Sequence, residues 1–529
     1  MSDSPRTAAL RLGERRGRWV LFTTVLGSGM ALLDSTVVNV ALPHIGTDLD
    51  ADLGALQWTV NAYMLTLAGL ILLGGTLGDR YGRRRVFLVG IVWFALASLL
   101  CGLAWNAGVL VAARALQGVG GALLTPGSLA LIQATFHPDD RARAVGAWSG
   151  LGGVAAAVGP FLGGWLVDGP GWRWVFWLNV PLALVCVPVA LRHVPETRDP
   201  DASGRFDVSG AVLAALALGG VTYALIAAPE QGASPVVLGT AVGGAVCGAA
   251  FVALERRLRH PMVPPSVFAS RQFTAVNAVT LGVYAAFGGF FFLSVVQLQV
   301  VLGWSALAAG TALLPTTVLM LLLSARSGAL GQRIGPRLPL TVGPLLCAGG
   351  MLLMTRVGPD ASYGVDVLPA LLVLGAGMVL LVAPLTATVL ASVDVARAGL
   401  ASGVNNAVAR AAGLLAVAAL PLLAGMGPEA YREPAAFDAA FRTAMVWCAG
   451  LLVAAAAVAW LTVRRDVLAE PEAERPTPPA DRARPEHGRP RGAEGGRAPE
   501  PHCTTECHLH CGVASPPLDP GRPPGDGGR

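Results

Sequence analysis

Gly75-Thr-Leu-Gly-Asp79-Arg80-Tyr-Gly82-Arg83-Arg84-Arg85 decides how this chain is read. It joins two runs, residues 57–77 and 86–105, that hold no charged residue. A bilayer core of about 30 Å takes roughly 20 apolar residues as a helix, so each run is long enough to cross it. The charges therefore occupy a tight hairpin between two spans, where Gly78 and Gly82 allow close backbone approach. Loops rich in arginine collect on the cytoplasmic side, which assigns the hairpin to that face. Eight spans later, Gly328-Ala-Leu-Gly-Gln332-Arg333-Ile-Gly335-Pro-Arg337 repeats its Gly, Arg, Gly and Arg positions. Parallel internal repeats of this kind mark chains built from two related halves.

The rest of the chain reads the same way. Of 529 residues, 54% are hydrophobic and 13% charged, against about 25% charged in a soluble domain. Mean hydropathy is +0.59. Fourteen spans are expected, over 19–41, 57–77, 86–105, 108–134, 143–168, 174–192, 208–228, 235–254, 272–300, 306–325, 338–355, 366–390, 399–424 and 439–463. All 38 basic residues are arginine, a codon signature of a GC-rich genome. Alternate loops hold 24 of them and the intervening loops four, so the alternation expected of a polytopic protein runs unbroken. Both termini then lie in the cytoplasm of a cell whose inner membrane the chain crosses. The expected layout is a cytoplasmic segment 1–18, a six-helix bundle 19–192, a linker with two extra spans 193–271, a second six-helix bundle 272–463, and a disordered tail 464–529.

Two charges fall within spans of the first half. Asp34 lies roughly 12 Å below the outer surface counting helical rise from Leu42, and Arg114 equally deep counting from Asn106. An intramembrane carboxylate costs about 2.5–3.5 kcal/mol and usually marks an ion pathway. The equal depths let the two meet across the bundle interior. Burial penalises a carboxylate's charge and a nearby guanidinium compensates it, so a modest change in their separation would bind or release a proton. The competing readings are a static ion pair, or a neutral Asp34 hydrogen-bonded to a neighbour such as Asn61. Gln117 and Asn39 complete the candidate coupling and substrate group. Gating candidates are the hairpin residues Asp79, Arg80, Gly82, Arg83 and Arg84, the helix-5 residues Gly159, Pro160, Gly163 and Gly164, and Arg410. Small residues allow close helix packing and Pro160 removes a backbone donor. Asn405 and Asn406, beside Arg410, suit interhelical packing.

Several classes are disfavoured. An enzyme needs His, Asp or Glu clustered at a membrane face, whereas His44, His137, His193 and His260 fall singly in loops. No Gly-x-x-x-x-Gly-Lys loop for ATP is present, and no cofactor or nucleic-acid partner is expected. Cys101, Cys186, Cys247, Cys347 and Cys448 sit alone in apolar runs, as small core hydrophobes do. The tail offers Cys503, Cys507, His508, His510 and Cys511 as soft metal ligands, but their spacing fits no standard finger and an unstructured accident competes.

Over about residues 15–465 the chain resembles the major facilitator superfamily, and within it the fourteen-helix drug:proton antiporter family. Asp79-Arg80-x-Gly82-Arg83-Arg84 looks like its signature loop, Arg114-Ala-Leu-Gln117-Gly118 like the helix-4 motif linked to proton transfer, and Gly159-Pro160-x-x-Gly163-Gly164 like the helix-5 antiporter motif. Leu33-Asp34-Ser-Thr-Val-Val-Asn39-Val-Ala-Leu-Pro43 and Trp172-Arg173-Trp174-x-Phe-x-x-Asn179-x-Pro181 are similar to elements of the fourteen-helix family. The resemblance implies a monomeric exporter of small amphipathic or cationic drugs, driven by the proton motive force through alternating access. An importer on the same fold is the alternative. Ala155 stands where the helix-5 motif often has glycine, Gln332 where the first loop has Asp79, and span 10 lacks the acid of members that handle divalent cations.

Overall fold

The apolar runs become helices that satisfy their own backbone groups, as a hydrocarbon environment requires. A computed structural model describes residues 10–198, 207–258, 261–393, 398–427 and 433–468. In chain order the helices are α1 (Arg15–Asp48), α2 (Leu53–Tyr81), α3 (Arg83–Gly102), α4 (Ala107–Thr135), α5 (Pro138–Asp168), α6 (Arg173–Trp177) and α7 (Asn179–His193). They continue with α8 (Val208–Gln231), α9 (Pro235–Glu255), α10 (Arg271–Val296), α11 (Ala306–Ala312) and α12 (Leu314–Ile334). The last four are α13 (Arg337–Met354), α14 (Leu368–Ala391), α15 (Ala398–Leu423) and α16 (Pro434–Thr462). Among the described residues there is no strand, only an isolated bridge between Leu10 and Phe136. Thirteen helical stretches among the described residues are long and apolar enough to cross a membrane; the expected fourteen also counts 143–168, which lies inside the 31-residue α5. The cysteine- and histidine-bearing tail, His260 and Arg397 lie outside the described residues.

Two expected spans are interrupted, and proline accounts for both. Pro181 cannot donate to the carbonyl of Trp177, and the helix breaks at Leu178 between α6 and α7. Pro315 likewise leaves Thr311 without its i+4 donor, and the break falls at Leu313 between α11 and α12. Pro160, where a bend was expected, lies within an unbroken α5.

Helices α1–α7 pack among themselves, as do α10–α16, and the pair α8–α9 leans on α2 and α15. Leu96, Leu100, Leu184, Val185, Leu321 and Leu322 are exposed, as expected for faces turned to lipid. Asp34, Asn61, Ser98, Gln117 and Asn179 are fully buried. The interior is mostly apolar with a few polar groups gathered in it, and the outside is apolar as well, which is where the chain departs from a soluble protein.

The repeat suggested by the two glycine-arginine loops is carried by contacts. Gly82 takes φ +111° and Gly335 φ +80°, a region that favours glycine. A Cβ on Gly82 would strike Glu196, just past α7, and one on Gly335 would strike Arg465, just past α16. Arg84 Nη1 donates to the carbonyl of Val194 at 3.0 Å, as Arg337 Nε does to that of Trp460 at 2.5 Å. The start of each half also meets its end: Arg16 Nε donates to His193 O at 3.0 Å, and Arg464 N to Gln272 Oε1 at 3.1 Å. At the opposite end Trp172 Nε1 and Arg173 Nη1 donate to Asp48, at 3.0 and 2.7 Å, while Gln297 Nε2 donates to Asp438 at 2.7 Å.

Candidate functional site

Asp34 sits in the interior of α1 and is 0% exposed; Arg114 in α4 is 1% exposed. Arg114 Nη1 donates to Asp34 Oδ2 at 2.5 Å, so the pair expected from matching depth is formed. The other carboxylate oxygen accepts from Gln117 Nε2 at 2.8 Å and from Asn179 Nδ2 at 3.1 Å. Gln117 lies one helical turn beyond Arg114, so both side chains leave α4 on one face. Its amide oxygen accepts from Arg114 Nη1 at 2.6 Å, and its Nε2 also donates to Ser98 Oγ at 2.7 Å. Arg114 Nε donates to the carbonyl of Thr59 at 2.9 Å. The guanidinium carbon lies 4.4 Å from the Tyr63 ring centroid and 5.8 Å from that of Phe176, a cation–π arrangement strengthened by the absence of solvent. A buried ion pair repays its desolvation only when the remaining donors and acceptors are also matched. Here Gln117, Asn179 and the Thr59 carbonyl match them.

Asn61 is fully buried and is not the partner of Asp34: neither of its amide heteroatoms has a hydrogen-bond partner. Asn179 takes that place. Asn39 has an unpartnered, buried Oδ1. The carboxylate is enclosed by protein in this conformation and does not line an open cavity.

The remaining expected residues fall into two groups. In the hairpin, Asp79 accepts from Arg83 Nε at 2.8 Å within the same half, and Arg80 lies 5.7 Å from the Tyr81 ring. Arg84 reaches Glu196 at 3.7 Å, with Arg85 at 3.8 Å, and the Arg84 backbone N–H donates to Glu196 Oε1 at 3.1 Å. Glu196 and Thr197 share the N-terminal turn of α3, Glu196 accepting from Arg84 N and the Thr197 carbonyl from Arg83 N at 2.9 Å, a role that a loop 112 residues away in sequence did not advertise. In α5, a Cβ on Gly159 would strike Thr36 and one on Gly163 would strike Val37, so both let α5 seat on α1. Gly164 faces the second half: a Cβ there would enter the backbone of Ala306 and Leu307. Pro160 meets Gly310 of α11 by the same criterion. Asp168 accepts from the backbone N–H groups of Ala306 and Leu307 at 3.1 and 2.9 Å, which caps α11 from across the seam. Two further hydrogen bonds bridge the halves at that end, Gln57 Nε2 to Val417 O at 2.7 Å and Gln299 Nε2 to Val40 O at 2.9 Å. Asn405 donates to Asn277 and Thr280, at 3.2 and 2.7 Å, as interhelical packing predicts. Arg410 crosses the seam to Met64, its Nη1 4.0 Å from the thioether sulfur.

Residues 24–418 match the family described as Major Facilitator Superfamily. This chain belongs to that superfamily. It is 36% identical over 477 residues to the puromycin resistance protein pur8 of Streptomyces alboniger, covering 86% of this chain and 93% of that one. It is also 36% identical to the tetracenomycin C resistance and export protein of Streptomyces glaucescens, over 77% of this chain and 76% of that one. Among solved structures, a bacterial homolog of the human lysosomal transporter Spinster, inward-facing and unoccupied, superposes with a TM-score of 0.60 at 18% identity, covering 85% of this chain and 97% of that one. As a superfamily member the chain is a multi-pass membrane protein that handles small molecules.

Proposed function

We propose that this chain exports small amphipathic molecules across the cytoplasmic membrane in exchange for protons. The Asp34–Arg114 ion pair carries the reading. Asp34 takes a proton when rearrangement of α1 and α4 draws the guanidinium away, and releases it when the guanidinium returns. Gln117 and Asn179 hold the carboxylate in place through both states, and Thr59 and Tyr63 hold Arg114. Relatives named for resistance to puromycin and for export of tetracenomycin C support export rather than uptake.

The energetics suffice. A proton entering down 100 mV releases about 2.3 kcal/mol, which supports roughly a fifty-fold substrate gradient at about 1.4 kcal/mol per decade. The halves, bridged at the end opposite the N-terminus by Gln57, Gln299 and Asp168, rock so that those bridges part as the cytoplasmic end closes. In inverted membrane vesicles energised by respiration, Asp34→Asn abolishes substrate-driven proton release, while wild type shows it for at least one compound from a drug panel. Full-rate exchange by the Asp34→Asn protein would remove the assignment.

A further inference from the structure

The interior of the second half carries a positive charge with no ion-pair partner among the described residues. Asp34 is balanced by Arg114 and takes two further hydrogen bonds. Arg410 stands midway along the 26-residue α15 and enters no ion pair among the described residues. Its Nε is buried without a partner, and its other contact is the thioether of Met64, a weak acceptor. A guanidinium at this depth is costly, and where no carboxylate faces it the usual occupant is a ligand or a water-filled path. Its side chain is half-buried, and Asn406, one turn nearer the N-terminal end of the helix on the same face, is exposed.

The surroundings define the rest of the ligand. Tyr284 of α10 lies beside α15 at this level: a Cβ on Gly413, three residues beyond Arg410, would lie 3.9 Å from the Tyr284 carbonyl oxygen, and one on Gly288 would strike Gly413. From Tyr284 an edge-to-face series runs along one face of α10, with centroids 6.2 Å apart between Tyr284 and Phe287 and 6.4 Å between Phe287 and Phe291. A row of rings beside a guanidinium that has no ion-pair partner among the described residues suits a flat aromatic body bearing an acidic group. A carboxylate can engage a guanidinium with two parallel hydrogen bonds and a phenolate with one, whereas a cationic ligand is repelled by it.

We propose that Arg410 and the Tyr284–Phe287–Phe291 row form a binding site for planar aromatic anions, taken from the seam between the halves. This rests on the export reading for its physiological meaning, but binding is measurable without transport. The test uses the purified full-length chain and two xanthene dyes of similar size, anionic fluorescein and cationic rhodamine 123, followed by fluorescence anisotropy at mildly alkaline pH. Wild type is expected to bind fluorescein at least about tenfold more tightly than rhodamine 123. Arg410→Gln raises the fluorescein Kd about tenfold and leaves rhodamine 123 unchanged, while Arg410→Lys recovers part of the loss. Equal or tighter binding of rhodamine 123 by wild type overturns the proposal without any variant, as does binding of neither dye. So does an unchanged fluorescein Kd in a folded Arg410→Gln protein. Loss of transport with this binding pattern intact would fall on the export reading alone.

Discussion

Asp34 and Asn61 are both fully buried, yet their surroundings treat them oppositely. Three donors converge on Asp34, whereas the Asn61 amide has none. A hydrogen bond to a charged group contributes about 1.5–3 kcal/mol, and an unsatisfied buried polar group costs about 1–3 kcal/mol. Asn179→Ala should therefore lower the unfolding free energy by about 1–3 kcal/mol. Asn61→Leu should leave thermal stability unchanged or raised. If Asn61 serves proton or substrate movement, Asn61→Leu loses exchange while keeping its melting temperature, and scanning fluorimetry beside vesicle transport separates the two. A clear fall in stability for Asn61→Leu would show that the amide is satisfied after all. Helical rise puts Asp34 and Arg114 at one depth, which allowed their meeting without requiring it. The choice of Asn179 over Asn61 was not legible in the sequence, because both are asparagines of the first half and only the rotation of α2 and α7 about their axes distinguishes them.

Helix α5 is where small side chains matter most. Gly159 and Gly163 seat it on α1, and Gly164 and Pro160 seat it on α11 of the other half. The second contact belongs to a seam that must open, so it is the one in which added bulk changes the cycle instead of the fold. Gly164→Leu is expected to insert in the membrane and stay folded, while failing to close the end opposite the N-terminus. A cysteine introduced at Leu307 would then react with an external, membrane-impermeant maleimide several-fold faster than it does beside Gly164. Unchanged labelling would mean that α5 and α11 shift together and the glycine is not needed. The glycine pattern was visible as a packing motif, but nothing in its spacing named two separate partners for its members. That division follows from the angular spacing of i, i+4 and i+5 around a helix, which turns Gly164 away from Gly159 and Gly163.

The halves are held together at one end by side chains that donate to backbone carbonyls, Gln57 to Val417 and Gln299 to Val40, and by Asp168 on the first turn of α11. The two glutamine bonds contribute about 0.5–1.5 kcal/mol each and those to the Asp168 carboxylate about 1.5–3 kcal/mol, few enough to part within a transport cycle. Joining cysteines at Gln299 and Val40 with a short bis-thiol cross-linker, in a background free of native cysteines, should reduce export to background. A reducible cross-linker should restore it once cleaved. Persistent export by the joined protein would show that the halves do not separate there.

Hydropathy was enough to set the helix order, because a bilayer leaves one spacing for apolar runs. The repeat was legible in two short loops, and the contacts at Glu196 and Arg465 followed its symmetry. The partners of single polar groups needed the folded chain: Asn179, Glu196 and Asp168 act on residues more than a hundred positions away. So did the distinction between Arg114, which is paired, and Arg410, which has no ion-pair partner among the described residues. Local sequence determines whether a segment can enter a membrane; which charges meet inside it depends on helix rotation and crossing, quantities that no stretch of one helix encodes.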